Sequence, residues 1–207
     1  MYRQCTTEKT SQQQRIFEEC LLRKMLAQPY HEITITALCE ETGLSRRVFY
    51  RLFDRKEDVL DALIDHTLTD YITYIPSPDI SEGGMHRFLA YWKDQHELLE
   101  ALIRSDLYMH LWEHAIRHIL REDLDVQTVF SPDTTNYARD LLIFYISGLF
   151  VLILDWHAEG YTRTIDEMSA LLMHIMTTSP AKGPLASDPY GKPENWANGV
   201  YCPGSRE

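Results

Sequence analysis

Residues 33–53 read ITITALCEETGLSRRVFYRLF, and the fold turns on this stretch. Thr34 stands just ahead of a short run with helical spacing, where its hydroxyl can accept from the free N–H groups of a first helical turn. Leu38 and Cys39 point inward from that run, and a side chain as small as Cys39 lets a second helix come close. Gly43 supplies the left-handed backbone that a tight turn between helices often needs. Leu44 plugs the space under the turn, and Ser45 caps a second helix. Phe49 and Phe53, four residues apart, share the inner face of that helix. Arg46, Arg47, Tyr50 and Arg51 are left near its start and along its outer side. The pattern predicts two short helices joined by a tight turn, the second anchored by rings and basic outside.

Upstream, Ile16, Phe17, Cys20, Leu21 and Met25 recur with helical period over 11–27, and Pro29 follows where a helix should stop. Downstream, Asp54 and Glu57 form a capping-box-like pair before a helix through Val59, Leu60, Leu63, Ile64 and Leu68. Pro76 and Pro78 mark a domain boundary. Helical patterns resume near Glu82 and run to about Asp123, and Ser131–Asp133 with Pro132 inside is a turn. A strongly apolar helix follows from about Thr135 to Trp156, closed by Gly160, and a last helix runs from about Thr164 to Thr178. No hairpin dipeptide sits between alternating apolar runs. From Pro180 onward the chain holds five of its nine prolines and four of its nine glycines, the composition of a flexible tail. Trp196 and Tyr201 in that tail would suit docking onto a partner.

Charge separates the segments. The chain of 207 residues has a formal net charge of -11, which argues against a non-specific coat for nucleic acid. Residues 43–56 nonetheless carry Arg46, Arg47, Arg51, Arg55 and Lys56 against Asp54 alone, whereas residues 76–207 hold 10 basic and 19 acidic side chains. The acidic bulk would repel DNA everywhere except at the basic face. A helix anchored on its apolar side and basic and aromatic on the other is how a chain offers side chains to a major groove.

Other classes find little support. Cysteines 5, 20, 39 and 202 show neither CxxC nor metal-ligand spacing and fit reduced thiols in a cytoplasmic protein. Met1–Gln14 is polar, without the apolar stretch of a secretory signal. The longest apolar run, Leu141–Leu154, is shorter than the roughly 20 residues a bilayer requires, so no membrane span is expected. Nucleophile-elbow, phosphate-loop, dinucleotide and His-Glu-x-x-His patterns are all missing, so neither an enzyme nor a cofactor is expected. His110, His114 and His118 recur every four residues. Neighbours at that spacing can share a metal, with His157 and Asp106 to complete a site, but three along one helix span too far for a single ion. A solvated or partly buried face is expected there instead, and no metal.

Ile33–Leu60 resembles the DNA-binding signature of the TetR family: a Thr-started helix, the Gly43-Leu44-Ser45 turn, Phe49-Tyr50, Phe53 two residues beyond Arg51, then Lys56-Glu57-Asp58 and Leu60. It departs at Leu52, where the family often has His, and at Val48, where a small polar residue is common. The resemblance implies an all-α protein: an N-terminal three-helix DNA-binding domain with a helix-turn-helix over 8–54, a helical effector and dimerisation domain over 55–179, and the tail over 180–207. It implies a DNA-facing set of Thr34, Thr36, Ser45, Arg46, Arg47, Val48, Tyr50, Arg51 and Lys56. Within that set Arg46 and Arg47 would reach base edges, Tyr50, Arg51 and Thr36 would bond phosphates, and Lys56 would add charge at a helix start.

The helix over 135–156 is apolar nearly all round and must be covered on every side. One small domain offers one inner face, so a second subunit is expected on the other. Phe144, Gly148, Val151 and Leu152, with Leu171 and Ile175 of the last helix, would form a four-helix homodimer interface. Tyr145-Ile146-Ser147-Gly148-Leu149, Asp155-Trp156, Glu159-Gly160 and Ile165-Asp166-Glu167-Met168 are similar to the short C-terminal region of Firmicutes-type TetR regulators. That group includes regulators of dihydroxyacetone kinase operons, which implies activation as an option beside repression. Tyr91, Trp92, Tyr108, Trp112 and Tyr145 would line a small-molecule effector pocket, though the same rings would serve equally as plain core. Two readings result: a ligand-responsive repressor that binds a palindromic double-stranded operator as a cytoplasmic homodimer, and an adaptor or co-activator that acts through another regulator with weak DNA binding. The intact basic face favours the first.

Overall fold

The segments around the Gly43 turn fold as their caps and glycine dictate. The computed structural model describes residues 7–74, 81–121 and 138–177, and among these every regular element is helical. There are nine α-helices among the described residues: α1 (Glu8–Ala27), α2 (Ile35–Thr42), α3 (Arg46–Leu52), α4 (Lys56–Tyr74), α5 (Glu82–Asp94), α6 (His96–Arg104), α7 (Tyr108–Arg121), α8 (Ala138–Ala158) and α9 (Ile165–Thr177). The expected boundary at Pro76 and Pro78, the turn at 131–133, Cys5, Cys202 and the tail from 180, with Trp196 and Tyr201, lie outside the described residues.

The N-terminal core is built on rings. Phe17 of α1 meets Phe49 edge-on at 5.3 Å and Phe53 at 6.0 Å, and all three are fully buried. Edge-to-face pairs of this kind contribute about 0.5–1.5 kcal/mol beyond their buried area. The same core continues through Val59, Leu60 and Ile64 of α4 into Leu98, Leu99 and Leu102 of α6, Leu111 of α7 and Ile153 of α8. The division expected at residues 54/55 therefore carries no break in packing. A smaller core, Met85, Leu89, Trp156, Met168 and Leu172, joins α5, α8 and α9.

Polar links fix α4 between its neighbours. Glu18 of α1 is buried, and His66 Nδ1 lies 2.9 Å from both of its carboxylate oxygens. Further along α4, Asp65 meets His114 Nδ1 of α7 at 2.5 Å and Asp61 meets His114 Nε2 at 3.4 Å. Arg104 of α6 donates to the Leu26 carbonyl at 2.8 Å, closing the end of α1. The start of α4 differs from the expected Asp54/Glu57 pair. Asp58, buried one residue further on, accepts from the backbone N–H groups of Asp54 (2.9 Å) and Arg55 (3.0 Å). A buried carboxylate needs donors, and the free N–H groups of a helix start are the nearest.

The apolar run 141–154 also reads differently in three dimensions. It is extended at both ends into the single helix α8, and Arg139–Ala158 is, by length and composition alone, long and apolar enough to cross a membrane. The helix itself matches the one expected over about 135–156; the apolar run alone is shorter because Asp140, Asp155 and His157 lie within the helix but outside the run. Ile153 and Trp156 are buried against the body, while 11 % of the apolar window as a whole is buried.

Candidate nucleic-acid interface

Local chemistry sets the two short helices. Thr34 Oγ1 accepts from the Ala37 N–H at 3.1 Å, and Ser45 Oγ accepts from the Val48 N–H at 3.3 Å. Gly43, with φ +68°, holds the left-handed position between them. Leu44 packs onto the core, and Phe49, Leu52 and Phe53 anchor α3 from beneath. Leu52, the departure from the family pattern, is thus a core residue. Val48 is half-buried at the edge of the same core.

The outer side of α3 carries Arg46, Arg47, Tyr50 and Arg51, all exposed. Arg46 donates to Thr36 Oγ1 of α2. Arg51 Nη2 donates to Gln13 Oε1 of α1 at 2.6 Å. Tyr50 is half exposed and braced edge-on by Phe49 at 5.5 Å. The structure brings Thr34, Thr36, Ser45, Arg46, Arg47, Val48, Tyr50 and Arg51 onto or beside one helix-turn-helix. Lys56 stands apart. Its ammonium donates to the Tyr30 carbonyl at 2.6 Å and lies 4.0 Å from the Tyr30 ring centroid, and burial lowers its pKa. This lysine staples α4 to the turn at Tyr30–Glu32 rather than pointing outward. Gln13 is the residue that sequence reasoning missed, since nothing in a polar position on α1 signals a partner 38 residues away.

The expected effector residues fall into two groups. Trp92 is nearly fully buried, its ring 6.0 Å from Tyr71 and 5.6 Å from Tyr91, and Tyr91 donates its hydroxyl to the Thr67 carbonyl at 2.7 Å. Trp112 of α7 instead donates to Ser147 Oγ of α8 at 3.1 Å, with Tyr145 half-buried and Tyr108 packed on the main core. None of the ring contacts among the described residues joins the two groups. The histidine row divides as well: His114 sits between Asp61 and Asp65, His118 lies 3.7 Å from Asp65, and His157 bonds Glu100 at 3.0 Å and the Tyr161 hydroxyl at 2.9 Å. Among the described residues no group of three or more His, Cys, Asp or Glu is placed to hold a metal ion. Cys20 and Cys39 are buried free thiols, and burial pushes Cys20 up to about 11, the mark of a packing residue rather than a nucleophile.

On the expected dimer face, Phe144 is 72 % exposed and Val151 61 %, Ile175 is half exposed, and a Cβ placed on Gly148 would meet nothing within 4 Å. Exposed positions 144, 148, 151 and 155 of α8 follow one another at spacings of four, three and four, a helix-packing seam without a partner among the described residues. Leu152 and Leu171 also serve the chain's own packing. Both are half-buried and pack against the chain's own Trp156–Met168 core.

The fold and this face together define a class: a capped helix-turn-helix, basic on its outer side, mounted on an all-helical body. One comparison bears on the fold. The dihydroxyacetone kinase operon activator DhaS is similar in structure, with a TM-score of 0.52 and 11 % sequence identity over 79 % of this chain and 93 % of that one. The chain therefore shares the all-helical fold of that activator. No protein-family model matches the chain. Among curated proteins, a stretch of 78 residues is 36 % identical to part of the glutamyl-tRNA reductase of Geobacter metallireducens, covering 37 % of this chain and 18 % of that enzyme.

Proposed function

We propose that this chain is a TetR-like transcriptional regulator, a ligand-responsive repressor that binds a palindromic operator as a homodimer in the cytoplasm and performs no catalysis. The observation that carries the reading is the outer side of α3: three exposed arginines and a braced tyrosine on a helix fixed by Ser45 above and Phe49 below. Such a surface suits a major groove, in which arginine can bond guanine in bidentate fashion. The likeness to an operon activator supports a regulator of this general kind. The second subunit is supported by the uncovered seam of Phe144, Gly148 and Val151, with Ile175 beside it. Two copies joined there would present two α3 helices to successive half-sites.

The test is fluorescence anisotropy of the purified chain on the duplex upstream of its own gene, over a salt series, beside an Arg46→Ala/Arg47→Ala variant. The reading expects tight binding with a steep salt dependence and loss of sequence preference in the variant. Equal, weak binding of both proteins to this and to random duplex, repeated on a genome-derived fragment library, would hand the first place to the adaptor reading.

A further inference from the structure

Resting on the DNA-binding reading above, we propose that Arg47 is the residue that chooses base sequence, while Arg46 and Arg51 hold phosphates on its two sides, positioned by Thr36 and Gln13. Two independent features of α3 point this way. The first is rotation about the helix axis, about 100° per residue. Phe49 lies two residues beyond Arg47 and Leu52 five beyond, at about 200° and about 140°, so the two buried anchors bracket the direction opposite Arg47. Arg47 therefore stands at the centre of the outward arc. Arg46 is turned about 100° to one side of it and Arg51 about 40° to the other.

The second feature is what each guanidinium touches. Arg46 is drawn sideways onto Thr36 of α2, and Arg51 onto Gln13 of α1. Arg47 is exposed and makes no hydrogen bond or ion pair among the described residues. A helix with its side chains is roughly 10–12 Å across and the major groove roughly 12 Å wide. A seated α3 thus fills the groove, and elements beside it lie over the sugar-phosphate strands. Side chains tied to those elements end at the strands. The untied side chain at the centre of the arc reaches the groove floor, with Tyr50 beside it. The expectation that Arg46 and Arg47 both read bases is narrowed to Arg47.

The experiment uses the full chain, a labelled duplex carrying its preferred sequence and a scrambled duplex of equal length. Arg47→Ala should lower the preferred-to-scrambled affinity ratio by roughly tenfold or more. Arg47→Lys, which keeps the charge but not the bidentate fork, should lower the ratio while leaving the salt slope in place. Arg46→Ala should weaken both duplexes alike, hold the ratio within about twofold and reduce the salt slope by about one per protomer. Gln13→Ala should weaken both alike with an unchanged melting curve. A ratio that survives Arg47→Ala, or one that collapses in Arg46→Ala or Gln13→Ala, overturns the assignment. A wild-type chain with no preference for any duplex removes the DNA-binding reading itself, and the assignment with it.

Discussion

His114 should make this protein more stable at mildly acid pH than at alkaline pH, by an amount that one substitution isolates. Its ring is buried between two helices, and burial alone would pull the imidazolium pKa down. Hydrogen bonds to Asp61 and Asp65, and the charge of both carboxylates, outweigh that and push His114 up to about 9 from 6.5. A rise of that size corresponds to about 3 kcal/mol of preferential stabilisation of the charged ring. Because the folded value is the higher one, this contribution is complete below about pH 6.5 and is lost as pH climbs through about 9. Urea unfolding of wild type and His114→Gln, at several pH values between about 6 and 10, reads it directly. The stability difference between the two proteins should narrow by about 3 kcal/mol across that range, and other titrating groups cancel in the difference. A difference that stays flat, or widens with rising pH, would refute the clamp between α4 and α7.

The exposed seam on α8 predicts that Val151→Glu, or Phe144→Glu, lowers the sedimentation mass from that of two chains to that of one while the helical circular dichroism is retained; an unchanged mass would refute the seam as a subunit interface. Gly43→Ala should cost about 1–2 kcal/mol of unfolding free energy, because φ is +68° while nothing lies within 4 Å of the new Cβ. A neutral result would mean the turn relaxes to another backbone. Phe49→Ala, at the meeting of Phe17, Tyr50 and Phe53, should cost about 3–5 kcal/mol. A loss under about 1 kcal/mol in urea unfolding would show the ring core to be loosely packed.

The helix-turn-helix was legible because its signals are local. Thr34, Gly43 and Ser45 act within three residues of themselves, and Phe49 and Phe53 reveal their shared face by spacing alone. What the sequence hid are contacts between distant positions. His114 and Asp65 are 49 residues apart, Lys56 and Tyr30 are 26 apart, and Arg51 and Gln13 are 38 apart. Within the histidine row of metal-like spacing, His114 and His118 both meet Asp65 of α4, while His157, outside the row on α8, meets Glu100 of α6. Asp58 rather than the Asp54/Glu57 pair serves the start of α4 for a related reason: which carboxylate is buried beside the free N–H groups is decided by packing, not by motif. Leu152 and Leu171 are half-buried because α9 folds back onto α5 and packs against the Trp156 core.

The most direct test of the account is selection of the full-length chain against a random-sequence duplex library. The account predicts enrichment of a two-fold symmetric sequence whose half-sites lie about 10 base pairs apart, centre to centre, or a multiple of that. Recovered pools that show no motif above the input library would contradict it.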